Sequence, residues 1–390
     1  MKTALSIDVG GTKIYNTIIN ENGEIVGEIE KHSTPKTFAE IKSLFEEIIK
    51  KHENEVDVIA FATCGAVNNT NDGILGSTGN IAKEYPSMDL KSLSKKPVYV
   101  ENDANCAAWA EHIIGSSKGM PYSVMLTLGT GVGGGIILDN KLYKGKNGAA
   151  GEMHFKMRTD KHRKCTCGSW DCFEAYASGT GLKKTAEEIS GNPDVTTYDV
   201  IEGMKVRGLE GGQLIVESGK WKVESQSSQT HSPDGERICG RTERSESGLR
   251  KDGAYCGEAT NAELLEQRAN SRQGRDGVIL SNDSEISQAQ QTDKDLSPYR
   301  PNALSPSLAQ RIFDKWQNDI LEGIIGLANI FDPDCIVLSG SMAEFVNIEY
   351  LEREANKEIV TTPFKVLKAS AGNYSGMIGA GLLALGKYNG

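Results

Sequence analysis

Three groups of residues in this chain have the types and the spacing to do chemistry. Asp103 stands where the apolar run Val98–Val100 gives way to polar Glu101 and Asn102 and then to the small and apolar run Ala104–Ala110. A carboxylate at the carboxyl end of a strand faces the crevice in which α/β proteins bind ligands, and there it can take the proton of a hydroxyl. The same residue could instead cap the helix that follows. The second group is a pair of glycine turns, Gly10-Gly11-Thr12-Lys13 behind Asp8, and Gly129-Thr130-Gly131-Val132-Gly133-Gly134-Gly135. Such turns bring backbone N–H groups close to an anion, with a threonine hydroxyl as an extra donor, although an ordinary hairpin would use the same residues. The third is Cys165, Cys167 and Cys172, with His154 and His162 just upstream. Three thiolates and an imidazole match a closed tetrahedral zinc site. Cys64, Cys106 and Cys335 fall in or beside apolar segments and read as buried small hydrophobes.

The elements that must position these groups follow from hydrophobic period and turn chemistry. Strands are predicted over Ala4–Val9 and Ile14–Ile19, with a third, Glu24–Ile29, after the Asn22-Gly23 turn. Phe38–His52 has the amphipathic period of a helix, and Val56–Phe61 that of a buried strand ending on Thr63-Cys64-Gly65. Loop follows to Asn80. Strand Val124–Leu128, the second glycine turn, strand Ile136–Leu138 and a polar Asp139-Asn140 turn repeat the opening theme roughly 120 residues on, the scale of one domain. That repetition suggests two duplicated lobes, each lending a phosphate-gripping hairpin to one cleft. Later come helices Tyr198–Lys205 and Leu308–Ile330 (capped near Ser305 or Ser307), strand Cys335–Leu338 running into Ser339-Gly340-Ser341, and a small-residue helix Gly376–Leu385.

Composition sets bounds. The net charge of -10 and pI near 5.3 disfavour nucleic acid as a partner. No apolar run approaches the ~18 residues of a membrane span, and Asp8 with its glycines interrupts any leader-like core, so the expected location is cytoplasmic. Residues 206–306 change character: they are poor in apolar residues, lack Phe, and are rich in Ser, Gln, Gly, Glu and Arg. Within them Gln213–Val216 and Val278–Leu280 could be short strands and Ala262–Ala269 a helix, while His231, Cys239 and Cys256 are too sparse for a metal site.

Asp8-Val-Gly-Gly-Thr-Lys13, Glu101-Asn-Asp-Ala-Asn105, Gly129-Thr-Gly-Val-Gly-Gly134, Gly151-Glu152 with His154, and Cys165-x-Cys-Gly-x-x-x-Cys-x-Glu174 together resemble the ROK family of bacterial sugar kinases, a branch of the actin/Hsp70/hexokinase-like ATPases. The resemblance covers Met1 to about Lys205 and about Ser307 to Gly390. It implies an α/β fold of two RNase H-like (actin-like ATPase) lobes around a central cleft. Residues 1–115 with 376–390 would form the small lobe, and 116–205 with 307–375 the large lobe with its zinc loop. Residues 206–306 would be a polar insertion in the second lobe, at a surface connection where a long loop costs little closure entropy.

The resemblance also implies roles. Asp103 would be the general base that takes the proton of the attacking sugar hydroxyl. Asn102, Glu152, His154 and Glu174 would hold the other hydroxyls, with Asn80 and Gly65 as weaker additions. Asp8, Gly10, Gly11, Thr12, Lys13, Gly129, Thr130, Gly131 and Gly133 would cradle ATP, with Mg2+ near Asp8 and Gly340 bordering the nucleoside. A structural Zn2+ on His154, Cys165, Cys167 and Cys172 would fix the loop carrying Glu174. A homodimer is the expected assembly and a hexose, glucose first, the expected substrate.

Two further features, besides the insertion over 206–306, depart from the family pattern. Glu152-Met153-His154 is one residue shorter than the usual Gly-Glu-x-Gly-His, so His162 is an alternative fourth ligand, and Asp171 replaces the glycine before the last cysteine. Rival readings are a sugar-sensing or non-catalytic family member, for which Asp8 leaves no room for a preceding DNA-binding element, and an actin- or Hsp70-type scaffold, against which the Asp103 element and the Cys/His cluster speak.

Overall fold

The structure is a computed structural model that describes residues 1–76, 81–205, 212–217, 220–225 and 303–389. These belong to one unit, Met1–Ser225 with Pro301–Gly390. The first sheet begins with β1 (Thr3–Val9), β2 (Lys13–Asn20) and β3 (Glu30–Ser33). The third strand starts later than the Asn22-Gly23 signal suggests. The Asn20 side chain accepts N–H bonds from Asn22 and Glu24, closing a local turn. Ile25 and Val26 then run exposed, touching β2 through a single bridge at Ile19, and the ladder itself starts at Glu30. Helix α1 (Phe38–His52) spans the predicted residues and starts on a Thr37/Glu40 capping box. Next come β4 (Val58–Thr63), the short pair β5 (Ala66–Val67) and β6 (Ile74–Gly76), and β7 (Val98–Asn102), which leads without a loop into α2 (Asp103–Ile113).

The second sheet repeats the plan. It is built on β8 (Ser123–Leu128), β9 (Val132–Leu138) and β10 (Lys141–Leu142). The chain continues through α3 (Glu174–Ala177), α4 (Gly179–Ser190) and α5 (Thr197–Lys205) to the hairpin β11 (Gly212–Glu217) and β12 (Lys220–Ser225). It resumes with α6 (Pro306–Phe331), β13 (Cys335–Ser339), α7 (Ile348–Glu358), β14 (Lys365–Lys368) and α8 (Ser375–Asn389). The sheet orders are β3-β2-β1-β4-β7 and β10-β9-β8-β13-β14, each an antiparallel hairpin followed by parallel strands. This is the duplicated architecture that the repeated glycine turns imply. The predicted segments Val278–Leu280 and Ala262–Ala269 lie outside the described residues, as does Asn80.

Helix α2 is the hinge of the arrangement. It packs on β9 on one side and on α8 on the other, and α8 also lies on β1 and β4. The buried Glu111 carboxylate accepts from the backbone of Ser370 and Ala371, which fixes the far end of α2 to the chain leaving β14. The largest core lies behind the second sheet, where Trp316 is fully buried and its indole N–H donates to the Ala177 and Ser178 carbonyls. No described helix is long and apolar enough to cross a membrane.

Candidate active site and metal centre

The polar end of β7 decides what Asp103 is free to do. Asn102, not Asp103, caps α2: its Oδ1 accepts the Asn105 N–H at 3.0 Å, and its Nδ2 donates to the Gly65 carbonyl at 3.1 Å. Asp103 is therefore the first helical residue. Its Oδ1 takes the Ala104 N–H at 2.8 Å, while the side chain lines a shallow, open cleft. Glu152, Gly151, Gly148, Gly133 and Gly134 line the same cleft. Asp103 is exposed along the cleft yet crowded by protein atoms, which push its carboxyl up to about 6 against the lowering pull of backbone donors, and the facing Glu152 charge adds to the rise. Asp8, at the carboxyl end of β1, is pushed up to about 7, by burial first and by the Asp103 charge second.

The two glycine turns lie at the β1–β2 and β8–β9 junctions. Among the described residues the N–H groups of Gly11 and Thr12 in the first turn, and of Thr130 and Gly131 in the second, have no acceptor. Gly10 and Gly129 spend theirs closing the turns, on the carbonyls of Lys13 and Gly131. Lys13 opens β2 with its side chain exposed. Gly133 is not a turn residue: it lies in β9, donates to the Thr127 hydroxyl, and a side chain there would strike that hydroxyl at 2.6 Å. Gly133 and Gly135 are small because α2 packs directly on them through Ala104 and Ala108. Gly340, with φ +88°, brings the end of β13 against the Leu128 carbonyl, which also accepts the Met342 N–H, so this third loop borders the second turn.

Glu174 is buried and is not among the residues lining the Asp103 cleft. One carboxylate oxygen accepts the Val132 N–H at 3.1 Å; the other accepts from the Thr166 hydroxyl and, at 3.4 Å, the Cys165 thiol. It thus joins the cysteine loop to the second glycine turn.

The side chains of His154, Cys165, Cys167 and Cys172 converge, with their donor atoms all within 4.8 Å of one another. Cys165 Sγ lies 3.7 Å from His154 Nδ1, and Cys167 Sγ 3.6 Å from Cys172 Sγ. A tetrahedron of 2.3 Å Zn–S bonds has edges of about 3.8 Å, so the donor set fits zinc. Burial pushes the Cys165 thiol up to about 12 without a cation, so its thiolate requires a neighbouring positive charge. The open choice of fourth donor falls to His154, because His162 turns to Glu188 at 3.3 Å. The short Glu152-Met153-His154 segment is accommodated by Met153, which takes φ +49° and packs its side chain against Gly134. Asp171 does the work of the missing glycine: it adopts φ +57°, and its carboxylate accepts from the His162 and Arg163 N–H groups and the Tyr176 hydroxyl.

Two matching five-stranded sheets, a pair of glycine turns and a carboxylate cleft beside them define an α/β protein of the actin-like ATPase fold. The chain matches the ROK family over residues 4–221 and 278–387 and belongs to it. A glucokinase of Streptomyces coelicolor is 35% identical over 193 residues, 48% of this chain and 60% of that one. An N-acetylmannosamine kinase of Yersinia pseudotuberculosis is 32% identical over 219 residues, 55% of this chain and 74% of that one. The chain thus spans less than two thirds of the Streptomyces relative. The structure of a ROK family glucokinase from Streptomyces griseus, in complex with glucose and AMPPNP, shares the fold over 98% of this chain and 99% of its own, with a TM-score of 0.62 at 21% identity.

Proposed function

We propose that this chain is an ATP-dependent hexose kinase, with residues 1–115 and 376–390 forming one lobe, residues 116–205 and 307–375 the other, and glucose the first-choice acceptor. The observation that carries the reading is the released Asp103: Asn102 does the capping, leaving a carboxylate that faces Glu152 in an open cleft. A sugar hydroxyl is a poor nucleophile at neutral pH, and a carboxylate of pKa near 6 is a better proton acceptor than an ordinary aspartate while still ionised at pH 7. The hydroxyl donates its proton to Asp103 as its oxygen bonds to the γ-phosphorus and the bond to the β-phosphate oxygen breaks, releasing ADP. Unspent N–H groups on Gly11, Thr12, Thr130 and Gly131 suit the phosphates. Asp8 is the carboxylate to hold Mg2+, which neutralises phosphate charge when bound. Glu152 suits the remaining sugar hydroxyls. His154 serves the metal, and its imidazole steadies the wall that carries Glu152. A zinc held there would be structural, with Glu174 carrying its order to the Gly131–Val132 turn through its bond from the Thr166 hydroxyl.

The Yersinia relative supports a second acceptor, N-acetylmannosamine. An ADP-release assay over glucose, mannose, fructose, allose, N-acetylglucosamine and N-acetylmannosamine tests the proposal. Turnover with one or two of these is expected. No ADP above the sugar-free background with any of them would refute it.

A further inference from the structure

Lys144 follows β10 in a glycine-rich loop, where a lysine ordinarily points to solvent. Here its side chain is 13% exposed, and its ammonium meets Glu101 Oε2 at 2.8 Å and donates to the Asn68 carbonyl at 2.9 Å. Glu101 is fully buried. Its carboxylate also accepts from Asn71 Nδ2 at 2.7 Å, the Asn102 N–H at 2.9 Å, Asn105 Nδ2 at 3.1 Å and the Tyr99 hydroxyl at 3.5 Å. A buried pair of this kind adds little stability over an apolar pair of the same shape; its use is in fixing register.

The register concerned is that of the cleft. Glu101 immediately precedes Asn102 and Asp103 on the first sheet. Lys144 leaves the second sheet and leads into Gly145–Glu152, part of which forms the facing wall. The same strip is tied again beside the ion pair, to the β5–β6 hairpin. Asn69 Nδ2 donates to the carbonyls of Gly145 at 3.1 Å and Lys146 at 2.6 Å. Gly148, with φ +92°, lies so close to the Val67 carbonyl that a side chain would overlap it. Every tie joins β7 or the β5–β6 hairpin to the strip of chain that carries Glu152.

We propose that Lys144 is a positioning residue for the sugar: its ion pair with Glu101 clasps the two halves so that the Glu152 wall stands in fixed register against Asp103. The proposal rests on the hexose-kinase reading for its kinetic readout, but not for its structural one. The test uses the full chain as Lys144→Met, Lys144→Arg and the double variant Glu101→Gln/Lys144→Met, read by amide hydrogen exchange across residues 145–152, by melting temperature, and by separate KM values for hexose and ATP. Lys144→Met is expected to speed exchange in that strip and to raise the hexose KM about tenfold or more, with the ATP KM changed by less than about twofold. Lys144→Arg restores most of the hexose KM. The double variant has no orphaned charge, so it recovers part of the melting temperature while the hexose KM stays high. Unchanged exchange and KM in Lys144→Met would overturn the clasp, as would a double variant that recovers the KM together with the melting temperature. A wild-type protein inert on every hexose would sink the kinase reading instead, and faster exchange of residues 145–152 in Lys144→Met would still uphold the clasp.

Discussion

At the scale of single residues, one amide decides the reading. A polar triplet between a strand and a helix offers two side chains that could cap, and composition does not choose between them. The chain uses Asn102, so Asp103 keeps an oxygen for chemistry. Asp103 and Asp8 are held in the fold with pKa values of about 6 and about 7, above the ordinary 3.8. The folded state thus binds their protons more tightly than the unfolded chain does. Their contribution to stability is full below the ordinary carboxylate range and is lost as pH rises through 6 to 7. In protein free of nucleotide and divalent cation, Asp103→Asn is therefore expected to melt higher than wild type at about pH 8, with the gap closing toward pH 4. A lower melting temperature for the variant at pH 8 would contradict the raised pKa of this carboxylate. Asp103 and the cysteines stand out in the sequence by type and spacing, and Asp8 and Glu152 through the family resemblance. Lys144 and Asn71 do not, because their partners lie tens to hundreds of residues away and no local pattern marks them.

At the scale of elements, the glycines of the second turn divide into two jobs that sequence alone merges. Gly129 has open space where a side chain would stand, whereas a side chain on Gly135 would meet Ala108 Cβ at 2.5 Å and drive α2 off β9. Gly135→Ala should cost about 1–3 kcal/mol and reduce turnover by displacing Asp103, while Gly129→Ala leaves stability nearly untouched. Denaturant unfolding of the two variants checks this, and equal losses would count against the packing role. Three glycines in succession look like loop, which is why the start of β9 was hidden. The cysteine loop was easier to read, since its spacing is local, yet which histidine lies beside the cysteines needed the third dimension. Elemental analysis of freshly purified protein should find one zinc per chain, falling in Cys172→Ser, and stripping the metal should weaken hexose binding before it slows transfer. A metal-free preparation with full hexose affinity would remove zinc from the account.

At the scale of the whole molecule, two sheets of one topology, each with a glycine turn in its first hairpin, both pack on the Asp103 helix. The duplication was visible as a repeated strand–turn–strand theme, and the final helix as a run of small residues. Segment boundaries within 206–306 were not, because low apolar content gives periodicity nothing to register; the family match resumes at residue 278, inside that stretch. What the molecule is proposed to accomplish is a phosphoryl transfer in which one carboxylate accepts a proton while backbone amides hold the opposing phosphates. The most direct measurement follows transfer from γ-labelled ATP to the preferred hexose in wild type and Asp103→Asn, with hexose affinity determined alongside by calorimetry. The account predicts a fall in kcat of about 10³-fold with hexose Kd changed only a few-fold. Equal kcat in the two proteins would contradict it.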